Sequence, residues 1–516
     1  MCGIYGILSP QTIDSKLVCS SLQRIIHRGA DGYGLYDLNN KVTHKYLLRE
    51  ELFTNISSHR FFQEGVFIHM LHAIEGRVIQ PLHNSEKNSV LLFNGEIYNY
   101  KQLNQSLSIQ TNNDTQTLLH LLDSLENVEL EIGEMIKQLD GDFAFVYMRE
   151  NNVYLARDYL GVKPLFYEFN IQNKDFQFSS EQKVLSSHSL EVPPREIIVY
   201  NKNTHQTTII EKEEIQLSEE LADSYEHLQE HTFKLLQRAV EKRVPISKSK
   251  KVGLLFSGGV DSTVIALLLK QLGVEFECYG AELVSPNLEE AEDAQYSKRI
   301  AQEYDLNLNM STISIENLED LIIETMKIIE TSDYIKVSVA LPFLAACKLA
   351  SSDSVDVMFS GLGSEEIFAG YRRHKQVDNV NEECLNGLNI LHQRDLYRDD
   401  LITMSQIQEL RVPFLDSELV EYCLNIPSKY KLDLKKVEEI RNDVYKHPYL
   451  NSLVRSKIIL RDIAMSKLRL SQEYANRQKK AAQYGSKFDK GILRLAKNKG
   501  LSKQKYLDEL FQTLNN

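Results

Sequence analysis

The chain is poor in cysteine: its six residues, Cys2, Cys19, Cys278, Cys347, Cys384 and Cys423, are scattered along 516 positions with no C-x-x-C pair. Neither a cysteine zinc site nor a disulfide framework is indicated, and a reducing cytoplasm fits best. Glycine (23) and proline (11) are too few for a fibrous repeat or for long low-complexity tracts. No internal repeat is visible. No apolar run approaches the ~18 residues that span a bilayer, and Ser9, Pro10, Gln11 and Asp14 interrupt the N-terminal stretch too early for a signal peptide. Positive charge is also in deficit. With 59 Lys and Arg against 72 Asp and Glu, the net charge of −13 argues against wholesale binding to nucleic acid or an acidic membrane. The segment from Arg455 to Lys505 departs from this, with 15 Lys/Arg against three Asp/Glu. It reads as a solvated helical face, with contact to a nucleotide, phosphate or RNA as the other reading.

What is present is an ordinary globular balance, 42% hydrophobic and 25% charged, at a length that suits two or three domains. Residues 1 to about 195 carry short β-type runs (Val66–His69, Val90–Phe93, Phe143–Tyr147, Val153–Arg157) and two helical patterns, Ser15–His27 and Thr115–Leu125. This block predicts an α+β domain over 2–195. The pattern weakens through Pro193-Pro194 and the acidic stretch around Glu211–Glu220, so a linker is expected over 196–224. From 225 to 516 strand and helix alternate: strands at Lys251–Phe256, Phe276–Ala281 and Val355–Phe359, helices at Thr263–Leu272 and Ser338–Ser351. Asn287 and Glu290 have capping-box spacing ahead of a helix running to about Tyr304. That rhythm predicts a parallel sheet wound with helices, an α/β domain with a helical C-terminal part.

In the second half, the predicted strand ends in Phe256-Ser257-Gly258-Gly259-Val260-Asp261-Ser262 and runs into a helix. Two glycines and a helix N-terminus make such a turn a cradle for phosphate oxygens. Asp261 beside phosphate makes physical sense with Mg²⁺ between the two anions. The Lys of a Walker loop is absent, so transfer of a γ-phosphate is not indicated. Farther on, Ser360-Gly361-Leu362-Gly363-Ser364-Glu365-Glu366 repeats the plan, a strand end, a Gly-rich turn and paired carboxylates. Two such ends at one sheet edge are where α/β proteins bind nucleotides. Together they resemble the pyrophosphatase-type loop enzymes, which split ATP into AMP and pyrophosphate.

In the first half, Cys2 follows Met1 and precedes Gly3. Removal of Met1 would leave a free α-amine of pKa about 7.7–8.0 beside a thiol of about 8.5, so base and nucleophile would share one residue. Taken alone, Met-Cys-Gly also fits an ordinary buried cysteine. Its company favours the nucleophile: His27-Arg28-Gly29, Asn94-Gly95-Glu96, Asp114, and Asp140-Gly141-Asp142 come in the order of class II glutamine amidotransferases. Asn94 offers an amide donor and Gly95 an unobstructed N–H, both suited to an oxyanion.

With both halves together, the chain resembles the asparagine synthetase family over most of its length, closest to the divergent eukaryotic asparagine synthetase domain-containing proteins and fungal in kind. The resemblance implies an N-terminal-nucleophile hydrolase-type first domain and an adenine-nucleotide-hydrolase-like second domain. It implies a ligase of asparagine biosynthesis that hydrolyses glutamine, adenylates aspartate or another carboxylate with ATP and Mg²⁺, and passes ammonia between its domains. It assigns glutamine binding to Glu96 and Asp114. ATP contacts fall to Phe256, Ser257, Gly258, Gly259, Asp261, Ser262, Ala281, Ser360 and Gly361. Asp261 and Glu365 would be the metal-linked carboxylates, and Lys457 would stabilise the charged adenylate transition state. A homo-oligomer is compatible with this picture.

Three departures stand out. Leu362 replaces a family Glu and can neither accept a proton nor orient ammonia. Glu365 replaces an Asp. The Arg expected to hold the glutamine carboxylate is absent from His69-Met70-Leu71-His72, with Arg49 and Arg77 elsewhere as substitutes of unmatched spacing. A protein that keeps the fold and binds ATP or glutamine without amide transfer, or that acts as a glutaminase alone, is therefore the alternative. An RNA-related role for the basic C-terminal segment is a third.

Overall fold

A computed structural model describes residues 2–212, 215–286, 288–441, 454–478 and 480–515. The chain divides into two compact units, Met1–Glu214 and Ile215–Asn516.

The first unit is built on two antiparallel sheets. One has seven strands, in the order Leu190–Glu191, Phe166–Asn170, Asp175–Ser179, Gly3–Leu8, Gly65–Leu71, Gly32–Asp37 and Val42–Tyr46; the other has six, Gln206–Glu211, Glu196–Asn201, Asn152–Arg157, Gly141–Arg149, Ser89–Ile97 and Leu82–Asn84. Alternate residues point to opposite faces of a strand, and in both sheets both sets are apolar. Ile4, Leu8, Phe67 and Phe178 of one sheet meet Val90, Leu92, Val146 and Leu155 of the other in a core between the sheets. On the outer faces, Tyr5, Ile7 and Ile68 pack on Val18, Leu22, Leu52 and Ile56. Leu91, Phe93 and Phe145 likewise pack on Leu118, Leu122 and Ile132. The result is a helix–sheet–sheet–helix sandwich.

Several boundaries differ from the sequence expectation. The first helix stops at Ile25 and tightens into a 3₁₀ turn over Ile26–Arg28, and the second begins at Asp114 because Asn113 accepts from Thr115 N. Residues 196–211, expected in the linker, form a hairpin on strand Asn152–Arg157. Their β-branched Ile197, Ile198, Val199, Thr207 and Thr208 pair across it.

The second unit holds a five-stranded parallel sheet in the order Leu308–Ser314, Phe276–Val284, Val252–Leu255, Val357–Phe359 and Glu409–Arg411. The earliest strand is central and the chain winds outward first to one side, then to the other. The strand order therefore switches between Val252–Leu255 and Val357–Phe359, and a crevice opens there at their carboxyl ends. The helix after the first turn is Val260–Gln271, capped at Gly259, so Val260, Asp261 and Ser262 lie in its first turn. Helix Glu292–Glu303 starts at Ala291, and Asn287 lies outside the described residues. Contrary to the sequence expectation, helix Tyr334–Ser352 has the length and apolar composition of a membrane span, by those two measures alone. Here Val337, Leu341, Leu344 and Ala345 fill the core with Leu283, Ile322 and Phe488.

Candidate active sites

In the first unit, Cys2 leads into strand Gly3–Leu8 and is buried. Its backbone N donates to Asn94 Oδ1 at 2.8 Å, Arg28 Nε donates to its carbonyl at 3.1 Å, and its Sγ lies 3.9 Å from His72 O. Arg28 is oriented by Glu181, which its Nη1 meets at 3.0 Å and which also takes His27 Nε2 at 2.9 Å and Lys183 Nζ at 2.7 Å. Burial alone would raise the Glu181 carboxyl; His27, Lys183 and Arg28 instead hold it well below the usual range. Arg28, held by Glu181 beside His27, thus pins the Cys2 main chain.

Asn94 is fully buried, and with its Oδ1 turned to Cys2 its Nδ2 has no hydrogen-bond partner. A buried amide donor beside a thiol is costly unless something accepts from it, and the oxyanion of a tetrahedral thiol adduct is such an acceptor. Gly95 has φ +148°, and a Cβ there would lie 2.6 Å from Phe143 Cα. The glycine is therefore required by the close approach of strand Gly141–Arg149.

Asp114 accepts from Ile97 N at 3.1 Å and Thr115 N at 2.7 Å. The Tyr100 hydroxyl is raised by burial and then by Asp114, Glu75 and Glu96, so three carboxylates gather near one ring. A substrate ammonium is the natural counter-charge. Arg77 donates from Nε to Asp31 O at 2.9 Å, while the Asp31 carboxylate takes Ala73 N at 2.8 Å and lies 3.6 Å from His72 Nδ1. Arg49 lies over the Phe53 ring instead.

In the second unit the two Gly-rich turns touch: a Cβ on Gly361 would lie 3.0 Å from Asp261 Cβ. Phe256 N bonds Tyr279 O at 2.8 Å, which carries the chain past the end of strand Val252–Leu255, and Ser360 N bonds Arg411 O at 2.9 Å. Gly258 has φ +64°, and its Cβ would meet Ser297 N at 2.8 Å. Ser262 Oγ and Thr263 Oγ1 donate to Gly259 O at 3.2 and 2.8 Å and fix the first helical turn. Ala281 stands in the adjacent strand Phe276–Val284. Leu362 is half-buried, its N donating to Ser360 Oγ at 3.3 Å.

Lys457 reaches this crevice from the other end of the unit. Its Nζ donates to Asp261 Oδ1 and Oδ2 at 2.7 and 2.8 Å, to Glu365 Oε1 at 2.8 Å and to Ser364 Oγ at 3.2 Å, while Ser364 Oγ also donates to Asp261. Burial works against its charge, and Asp261 and Glu365 outweigh it and keep the lysine protonated. A cavity of about 610 Å³ opens beside this cluster, lined among others by Glu365, Gly370, Lys375, Arg455, Lys457 and Arg461. Among the described residues no three His, Cys, Asp or Glu side chains form a metal-ligand group. Asp261 and Glu365 converge instead on one ammonium, and they are the two carboxylates here that could hold a divalent cation.

Sequence reasoning missed Arg477. Its Nη1 donates to Ser257 O at 3.0 Å, its Nη2 to Asp293 Oδ1 at 2.5 Å, and its guanidinium lies 4.1 Å from the Tyr296 ring centroid. It braces the first turn from behind, and no local motif marks it.

The family model described as "Asparagine synthase" matches residues 232–381 and 375–513, and that described as "Glutamine amidotransferase domain" matches residues 71–187. A Methanocaldococcus jannaschii protein named "Putative asparagine synthetase (glutamine-hydrolyzing) 1" is 34% identical, over 99% of this chain and 98% of its own length. The rat asparagine synthetase (glutamine-hydrolyzing) is 29% identical over 85% of this chain and 79% of its own. An Arabidopsis thaliana asparagine synthetase (glutamine-hydrolyzing) 3 is 28% identical over 87% and 76%.

Proposed function

The chain belongs to the asparagine synthetase family, and on that footing we propose that it hydrolyses glutamine at Cys2 and uses the ammonia to amidate a carboxylate activated by ATP. The observation that carries the first half is the buried, unpartnered Asn94 Nδ2 beside the Cys2 main chain. Once Met1 is removed, the α-amine of Cys2 takes the thiol proton and Sγ attacks the glutamine carboxamide carbon. Asn94 Nδ2 and Gly95 N–H donate to the oxyanion, the C–N bond breaks, and ammonia leaves. Water then cleaves the thioester to glutamate. Asp114 and Glu96 hold the substrate ammonium.

In the second unit, Phe256, Ser257, Gly258, Gly259, Ser262, Ala281, Ser360 and Gly361 bind ATP across the crevice. An oxygen of the acceptor carboxylate attacks the α-phosphorus and pyrophosphate leaves, giving an acyl-adenylate. Ammonia attacks its carbonyl carbon and AMP departs with the oxygen. Lys457 offsets the charge that builds on the α-phosphoryl group. Asp261 and Glu365 would hold a magnesium ion that comes with the nucleotide; such an ion neutralises phosphate charge. Aspartate is the acceptor. Leu362 leaves the deprotonation of attacking ammonia without the family's carboxylate, which favours a second reading in which another carboxylate is used. We place the activity in the cytoplasm.

The test is purified protein with ATP, glutamine and a panel of carboxylates, assayed for AMP, pyrophosphate and glutamate. Equal AMP and pyrophosphate that depend on one acid establish the reaction and its acceptor. Glutamate release with no AMP for any acid would leave only the first unit as an enzyme.

A further inference from the structure

Strand Ser89–Ile97 is paired along one edge by Gly141–Arg149 through its whole length. Its other edge is paired only by Leu82–Asn84, with Leu82 opposite Leu91. Two residues beyond, Phe93 turns its peptide groups to that same edge. There a side chain takes the place of a strand: Phe93 N donates to Gln80 Oε1 at 2.7 Å, and Gln80 Nε2 donates to Phe93 O at 3.1 Å. A second side chain reaches the same carbonyl from the other sheet, His69 Nε2 at 3.0 Å. Gln80 and His69 are 2% and 0% exposed. Asn94, the oxyanion donor, is the next residue.

We propose that His69 and Gln80 are positioning residues of the glutaminase centre, a three-bond clamp on Phe93 that sets Asn94 and Gly95 at their working distance from Cys2. The proposal rests on the reading of Cys2 as the nucleophile. Phe93 O can only accept, so His69 carries its hydrogen on Nε2; Nδ1 is then a bare acceptor, and it is buried without a partner. Such a ring must be neutral, and burial pushes its pKa down to about 3. The chemistry needs this rigidity because a catalytic group has to be held within roughly 0.5 Å of its productive geometry by residues that are themselves locked in place. Cys2 and Asn94 come from different sheets, and a bond from His69 in one sheet to Phe93 in the other fixes their spacing directly. Neither clamp residue has its polar contacts with Cys2; both act on Phe93.

The experiment compares His69→Leu, His69→Gln and Gln80→Leu in the full chain. It reads glutaminase kcat and KM, the affinity for glutamate γ-semialdehyde, whose adduct with Cys2 carries the oxyanion, and the rate of Cys2 alkylation by iodoacetamide, which needs no oxyanion donor. For both Leu variants kcat and aldehyde affinity should fall together by about 10- to 100-fold. KM for glutamine and the alkylation rate should stay within about twofold, changes too small to reflect lost transition-state binding. His69→Gln, which returns an N–H near the Nε2 position, should recover most of the loss. Unchanged kcat in both Leu variants, a parallel fall of alkylation with kcat, or a His69→Gln variant no better than His69→Leu would each overturn the proposal. If Gln80→Leu does not fold, Gln80→Glu has nearly the same shape and sets a carboxylate oxygen against Phe93 O, so it is read in the same way. Cys2→Ala separates the two levels: glutaminase activity that survives it sinks the nucleophile reading itself, whereas its loss beside unaffected clamp variants sinks only the clamp.

Discussion

Lys457 and Asp261, 196 positions apart in the chain, meet as a two-oxygen ion pair of 2.7 and 2.8 Å in the crevice of the parallel sheet. The same ammonium holds Glu365 at 2.8 Å, so one cation ties the turn after Val252–Leu255 to the turn after Val357–Phe359.

Replacing Lys457 with Met should therefore damage both structure and chemistry. It leaves the Asp261 carboxylate buried with its principal counter-charge gone, a change that costs roughly 3–5 kcal/mol for a buried pair. Loss of charge stabilisation at the α-phosphoryl group should lower acyl-adenylate formation by about 10²–10³-fold. Thermal unfolding and ATP–pyrophosphate exchange measure the two effects. Exchange within about twofold of the parent would remove Lys457 from the chemistry.

Cys2→Ala should abolish glutamate release and spare amide synthesis from added ammonium salts. Cys2 lies in one unit and the proposed nucleotide crevice in the other, each with its own core. Comparing product formed from glutamine with that formed from ammonia checks it, and loss of both would count against the assignment.

Gly95→Ala adds a methyl group 2.6 Å from Phe143 Cα at φ +148°, a position that strains any residue with a Cβ. Strand Ser89–Ile97 must shift, and the donor at residue 95 shifts with it. We expect glutaminase kcat to fall about 10²–10³-fold, with ammonia-dependent synthesis unchanged. A variant with normal glutaminase kcat would show that this N–H is not an oxyanion donor.

Lys212 gives a pH prediction for stability. Its Nζ is buried and donates to Arg157 O at 2.6 Å. Burial, helped by Arg157 and Arg195 and opposed by Asp158, pushes its pKa from 10.5 down to about 7. Between these two values the unfolded chain binds the proton and the folded chain does not, so stability rises with pH across that window and is lost as pH falls toward 7. Lys212→Met should flatten the Tm profile between about pH 7 and 10. An unchanged slope would mean the ammonium stays charged in place.

The candidate site residues were legible in the sequence because each sits in a short local pattern. Cys2 follows the initiator methionine, Asn94-Gly95 ends a β-type run, and Ser257-Gly258-Gly259 lies between strand and helix. Periodicity gave the elements but misplaced their ends. A side chain such as Asn113 or a turn such as Gly259 settles where a helix starts, and an acidic neighbourhood hid the hairpin of residues 196–211. The contacts that hold each site were not legible. Nothing near Arg477 in sequence points to Ser257, and nothing near Gln80 points to Phe93, 13 residues on along a different path.

The sequence by itself determined which side chains are candidates for catalysis and the fold class of the half that carries each set, because backbone propensity and motif spacing are local. Only the tertiary structure decided which of them meet. It set Lys457 against Asp261, Arg28 against the Cys2 carbonyl and His69 against Phe93. Such contacts form when distant segments share one core, where a buried charge or amide must find its partner wherever the fold supplies it.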